Sequence, residues 1–267
     1  MQMETLQKNA DRFTGFARIY DQARPAVPEY PVAVIEKYLG RKPRTVVDLG
    51  SGTGLSTQVW KNRGVHVIGI EPSDDMLMVA KQRECDGVSF CHGFGNDTGL
   101  EAECADAVTC SQSFHWMEPK STLQEVERIL KSGGVFATID CDWPPVTEWR
   151  AEQAYMELYE RICQLEKDMP DLRDSFVRYP KERHLANLKA SGFFRYCREI
   201  TFANTEDCTA DRLIELLLSQ GSLQTILKLH PQSIERELSL FRSTMKLIFG
   251  SRTFSVDFCY RMRVAVK

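Results

Sequence analysis

Residues 46–57 read Val46-Val47-Asp48-Leu49-Gly50-Ser51-Gly52-Thr53-Gly54-Leu55-Ser56-Thr57. An apolar strand runs directly into three glycines at alternate positions, and a helix is expected over 55–63. Glycine allows a sharp turn and lets a ligand approach main-chain atoms with no Cβ in the way. Open parallel sheets bind ligands at the carboxyl ends of their strands, beside the point where strand order reverses. The spacing therefore marks a first strand and a ligand loop.

Outward from this stretch, strands are expected at 45–49, 65–71, 88–92, 105–111 and 134–142, with helices at 55–63, 73–83 and 119–131. Short, nearly all-apolar strands alternating with helices predict right-handed βαβ units and a parallel sheet covered on both faces. After Trp143 the rhythm breaks. Helices are expected at 149–166, 181–191, 209–219 and 233–249, with further strands at 194–202 and 254–266. Ahead of the sheet, Phe13, Phe16 and Tyr20 fall on one face of a predicted helix. Pro25, Pro28 and Pro31 then impose an extended turn, and a second helix covers 32–39 up to Gly40. One domain is expected: an α/β, Rossmann-like, doubly wound sheet of seven mostly parallel strands. Its parts are an N-terminal lid (1–40), a ligand-binding core (45–142) and helical caps (143–192 and 208–250).

The second strand ends in Glu71, 21 positions after Gly50. An acid there accepts hydrogen bonds from both hydroxyls of a ribose. Ser73 is the expected cap of the following helix, which leaves Glu71 free for that use. A dinucleotide site requires G-x-G-x-x-G, but the count from Gly50 lands on Leu55; the P-loop pattern is absent. An NAD-dependent oxidoreductase is thus the weaker reading.

The segment Asp48-Leu49-Gly50-Ser51-Gly52-Thr53-Gly54 resembles the first motif of class I S-adenosylmethionine-dependent methyltransferases (methyltransferase type 11 domain). Glu71-Pro72-Ser73 with Met76 is similar to their second motif. Ala105-Asp106-Ala107-Val108 with Ser111-Gln112-Ser113-Phe114-His115-Trp116 resembles the fourth-strand motif, and Leu130-Lys131-Ser132-Gly133-Gly134 the turn before strand five. Tyr20-Asp21-Gln22-Ala23-Arg24-Pro25, together with Phe114-His115-Trp116, is similar to the branch containing the fungal trans-aconitate methyltransferases. The resemblance implies S-adenosylmethionine as cofactor and S-adenosylhomocysteine as product. It implies that Asp48, Gly50, Ser51, Gly52 and Gly54 hold the methionyl end, and that Glu71 and Pro72 hold the ribose. Met76, Gly95 and Asn96 would contact adenine, Ser111 and Gln112 would flank the methionyl part, and Tyr20 and Arg24 would come from a segment folding over the cofactor.

The sulfonium methyl needs no activation, so the protein's work is to align an acceptor in a dry pocket. His115 lies beyond the fourth strand, and a free imidazole pKa near 6.5 suits a general base. Trp143, Trp149, Tyr155 and Tyr159 offer aromatic walls, and Arg24 and Arg178 can meet an anion. The acceptor is a small molecule bearing a carboxylic acid, hydroxyl, amine or thiol. A silent S-adenosylmethionine-binding regulatory protein is the alternative function.

Composition fits this reading. The 34 basic and 37 acidic residues give a net charge of -3, which argues against a broad nucleic-acid footprint. No apolar run approaches the roughly 18 residues of a membrane span, and residues 1–10 lack a signal-peptide layout, so a cytoplasmic location is expected. The nine cysteines contain no Cys-x-x-C pair, so no metal site is expected. Cys91, Cys110 and Cys141 are expected as small buried apolar residues.

Overall fold

A computed structural model describes residues 2–12 and 14–267, with side chains from Leu6 onward except Phe13. Its sheet has seven strands: β1 (Thr45–Leu49), β2 (His66–Glu71), β3 (Val88–His92), β4 (Ala105–Ser111), β5 (Leu130–Cys141), β6 (Tyr196–Cys208) and β7 (Phe254–Val266). The order is β3-β2-β1-β4-β5-β7-β6. Strands β3 to β5 are mutually parallel, and β7 runs antiparallel between β5 and β6. The order reverses at β1, which lies between β2 and β4.

The helices are α1 (Gln2–Asp11), α2 (Ala17–Ala23), α3 (Tyr30–Leu39), α4 (Asp74–Lys81), α5 (Pro119–Ile129), α6 (Trp149–Asp168), α7 (Pro170–Arg173), α8 (His184–Ala190), α9 (Ala210–Leu218), α10 (Gly221–Leu229) and α11 (Glu235–Phe249). Because successive strand residues face opposite sides, the apolar strands feed two cores. Val46, Val67, Ala107 and Val135 pack on one side with Ile35, Trp60, Tyr155 and Phe241. Val47, Ile70, Val108 and Phe136 pack on the other with Leu123, Val126 and Ile129.

Several expected elements differ. The helix expected over 55–63 is one 3₁₀ turn, Thr57–Trp60. Positive φ at Gly50, Gly52 and Gly54 (64°, 58° and 85°) keeps the chain in turns to residue 56, and left-handed Asn62 (φ 61°) ends it. Phe16 is the N-cap of α2 rather than a residue inside one continuous helix, and Phe13 lies outside the described residues. Strand β5 starts at Leu130, ahead of the expected 134, with a register shift that absorbs the glycine turn. Strand β6 runs past the expected 202 because its pairing with β7 continues to Cys208. Helix α10 was not expected: it opens on Gly221 with no capping side chain to announce it. Cys110 and Cys141 are buried, but Cys91 on the edge strand β3 is exposed.

Asp106 ties the start of β4 to the approach to β1. It accepts from Arg41 Nη2 (2.8 Å), the Arg44 and Thr45 N–H groups (2.6 and 2.9 Å) and Lys131 Nζ (3.1 Å). Burial alone would raise its pKa, but these bonds outweigh it and hold the carboxyl well below the usual range. A depressed carboxylate contributes stability above its unfolded pKa and loses it as pH falls through the folded one. Asp106→Asn should cost about 1.5–3 kcal/mol in urea unfolding at pH 7. The gap to wild type should narrow below about pH 4; a pH-independent gap would contradict this.

Candidate active site

The site is built at the carboxyl ends of β1, β2 and β4. The Ile70 carbonyl accepts from the N–H groups of both Gly50 (2.8 Å) and Ser51 (3.1 Å), which pins the glycine loop against the end of β2. A Cβ on Gly50 would lie 2.6 Å from Ser113 Cβ, whereas one on Gly52 would meet nothing within 4 Å. The first glycine lets the loop pack on the residues after β4; the second leaves open space beside its backbone.

Glu71 is 5% exposed and takes two backbone bonds, from Gly52 N–H to Oε2 (2.8 Å) and from Ser73 N–H to Oε1 (2.9 Å). The expected cap is therefore replaced: Ser73 makes no side-chain cap, and its hydroxyl is buried without a partner. Each carboxylate oxygen retains a second lone pair. Burial pushes the Glu71 carboxyl up to about 7, against the two N–H bonds that lower it; nearby Asp48 adds to the rise.

Glu71 belongs to a narrow cleft of about 80 Å³ with Gly50, Gly52, Pro72 and Met76. Gly95, Asn96, Ser111 and Gln112 are also among its walls, as are Leu6, Asn9, Ala10 and Tyr20 of the N-terminal segment. Asn96 Oδ1 is buried with no partner, so the walls hold an unused polar atom as well as the Glu71 lone pairs. Ser51, Tyr20 and Arg24 line an adjoining recess of about 40 Å³.

Two sequence-named residues stand off these walls. Asp48 is buried behind the loop, where it accepts from Ser56 Oγ and from Thr109 Oγ1 (2.8 Å). Burial pushes its carboxyl up to about 6. Gly54 faces Phe90, whose Cζ would lie 2.7 Å from an added Cβ. Both shape the loop from behind.

A third cavity, of about 550 Å³, adjoins the first two. Arg24, His115, Trp143, Tyr159, Arg178 and Lys181 are among its walls. Trp149 is 68% exposed and Tyr155 is packed in the core, so neither is a wall. Arg24 bonds Ser219 through Nε to Oγ (2.7 Å) and Nη2 to O (3.0 Å), and lies over Trp143 and Tyr20. No ion pair to Arg24 occurs among the described residues. Glu166 serves two guanidiniums, Arg12 at 3.2 Å and Arg178 at 3.7 Å.

His115 is 6% exposed, with Nδ1 3.7 Å from Asp140 Oδ1. Burial, reinforced by the Lys181 charge and only partly offset by Asp140, drives the imidazole down to about 3. It stands neutral and is a far weaker base than a pKa near 6.5 would make it. Asn9, Lys181 and Asp140 were missed from sequence. Asn9 Nδ2 donates to the carbonyls of Trp116 and Val177 (2.8 Å each), while its Oδ1 accepts from Val177 N–H (2.9 Å). All three are polar residues outside any motif, and only their tertiary partners mark them.

Residues 47–138 match the methyltransferase domain family. An uncharacterised methyltransferase of Mycobacterium tuberculosis is 34% identical over 115 residues, covering 43% of this chain and 46% of the relative. The chain thus spans about half the length of such a relative. A solved structure described as a candidate type II methyltransferase from Anaeromyxobacter dehalogenans superposes with a TM-score of 0.65 at 16% identity, over 91% of this chain and 97% of that one. Phosphoethanolamine N-methyltransferase 2 of Haemonchus contortus, solved with S-adenosylhomocysteine, superposes at 0.55 with 17% identity, over 98% of this chain and 60% of that one. Among the described residues no helix is long and apolar enough to cross a membrane, and no cluster of three His, Cys, Asp or Glu side chains could hold a metal. The stretch that matches the methyltransferase domain family, residues 47–138, contains the glycine loop, Glu71, most of β1 and all of β2 to β4 of this sheet.

Proposed function

We propose that this chain is an S-adenosylmethionine-dependent methyltransferase acting on a small anionic acceptor, with a carboxylate as the preferred nucleophile. The observation that carries the reading is the junction of two cavities. The cleft holding Glu71 and Asn96 shares Tyr20, Gln112 and Trp116 as walls with the larger cavity. The chemistry of the first suits adenosine: the free lone pairs of Glu71 can accept from ribose hydroxyls, and the orphaned Asn96 Oδ1 can accept from the adenine amino group. The Gly52 backbone and the recess at Ser51 take the methionyl end. When bound, the cofactor supplies a methyl already electrophilic through its sulfonium.

The acceptor class follows from charge. Among the described residues the cavity walls carry Arg24, Arg178 and Lys181 against Asp142 and Glu182; Arg24 has no ion pair, Arg178 shares Glu166 with Arg12, Lys181 pairs with Asp140 and Asp142 pairs with Arg261. A carboxylate acceptor neutralises this surplus and is ionised at neutral pH, so no base is required. One of its oxygens attacks the methyl, the carbon–sulfur bond breaks, and its electron pair stays on sulfur. His115 then serves as a neutral wall of the acceptor cavity rather than as a base. The contacts of Asn9 and Tyr20 support a lid role for the N-terminal segment. These features also favour the branch containing the trans-aconitate methyltransferases. The silent binding protein is the weaker alternative, because the acceptor cavity directly adjoins the cofactor cleft.

Incubation with methyl-labelled S-adenosylmethionine and a small-molecule extract tests this. Label should leave the cofactor and enter products derived from the anionic fraction. At subsaturating cofactor, Glu71→Gln should reduce transfer by about tenfold or more, the loss expected for a hydrogen bond to a charged group. Label confined to the cofactor would overturn the reading. The His115 ring gives a second check: its Cε1 proton shift should not titrate between pH 5 and 8, since burial keeps the imidazole neutral there. A titration centred near 6.5 would restore it as a candidate base.

A further inference from the structure

Among the described residues only Tyr20 and Gln112 line all three cavities of the site. Gln112 reaches this junction with a left-handed backbone, φ 55°, which costs energy in a residue with a Cβ. Two bonds hold it there: its N–H donates to the Ile139 carbonyl (2.9 Å), and its Oε1 accepts from Lys181 Nζ (3.0 Å). Lys181 is in turn held by Asp140 Oδ1 at 3.2 Å. The other Asp140 oxygen engages Arg263 Nη1 (2.8 Å) and His184 Nδ1 (3.2 Å).

An ammonium only donates, so the Gln112 carboxamide must give Lys181 its oxygen. That fixes which end of the amide is left over. The amide nitrogen, with two N–H donors, has no partner among the described residues. These donors sit where the cofactor cleft meets the acceptor cavity, on a backbone whose strain marks a constrained position.

We propose that Gln112 positions the acceptor, its amide N–H groups binding the carboxylate oxygen that does not take the methyl. Lys181, anchored by Asp140, is the positioning residue that sets the carboxamide. This rests on the methyltransferase reading above. It also assigns the side chain of Gln112, a residue that lines both the cofactor cleft and the acceptor cavity, to the acceptor rather than to the cofactor, where the sequence resemblance put it.

Calorimetric titration tests the assignment, using protein saturated with S-adenosylhomocysteine and linear dicarboxylates from malonate to adipate as probes. Wild type should bind at least one of them. Gln112→Glu, which keeps the Lys181 contact but removes both donors, and Gln112→Leu should each weaken that probe about tenfold or more. Each variant is titrated at its own saturating S-adenosylhomocysteine concentration, so a change in cofactor affinity does not enter the probe affinity. Lys181→Arg should preserve probe binding and Lys181→Met should not. The Lys181→Met loss should be smaller in a Gln112→Leu background, because Lys181 acts partly through the carboxamide. Unchanged probe affinity in folded Gln112→Leu, a Lys181→Met loss of equal size in both backgrounds, or a wild type that binds S-adenosylhomocysteine but no dicarboxylate would each overturn the proposal. Failure of wild type to bind S-adenosylhomocysteine would instead overturn the reading on which it rests.

Discussion

The site depends on one backbone acceptor, the carbonyl of Ile70. By taking the N–H groups of both Gly50 and Ser51, it bends the chain leaving β1 across the end of β2. The bend brings Gly52 N–H within 2.8 Å of Glu71. Without it, Glu71 would be a buried acid with one backbone donor fewer and a steep desolvation cost. With it, the carboxylate is half-satisfied by the fold and keeps lone pairs for a ligand. The same bend needs Gly50, since a Cβ there would run into Ser113. Loop, acid and the segment after β4 are thus one constraint.

Buried charge is handled differently in the two halves of the site. On the cofactor side the acids are in excess: Glu71 in the cleft and Asp48 behind the glycine loop are both buried, both raised by desolvation, and answered only by hydroxyl and N–H dipoles. The acceptor cavity carries Arg24, Arg178 and Lys181 against Asp142 and Glu182, and Asp140 and Glu166 are each divided among several cations. A cationic, hydroxyl-bearing cofactor on one side and an anionic acceptor on the other would balance both. The aromatic rings of Trp143 and Tyr20 hold the Arg24 guanidinium in place without neutralising it.

Much of this was legible in the sequence, and the physical reason is locality. The order of strands up to Asp142, the glycine loop and Glu71 are written in consecutive residues. Strand patterning and glycine placement suffice to read them. The last strand, Phe254–Val266, was likewise readable from its apolar run. The failures share a cause too. Helix α10 opens on a glycine, which reads as a breaker until Leu223 and Ile226 find the core. The role expected of His115 assumed a solvent-like imidazole, and only the fold shows it buried beside Lys181. The resemblance puts Asp48 at the methionyl end of the cofactor, yet strand alternation turns its side chain to Ser56 and Thr109. Lys181 and Asn9 act through partners 69 and 168 residues away, a distance no local pattern spans.

The central claim is that the cofactor's reactive end faces the cation-lined cavity across Tyr20 and Gln112. A crystal structure of the S-adenosylhomocysteine complex measures this directly. The account predicts both ribose hydroxyls within about 3.2 Å of the Glu71 carboxylate. It also predicts the sulfur at the junction, with its open side toward Arg24 and Lys181. A sulfur turned away from that cavity, or a ribose bound elsewhere than Glu71, would contradict it.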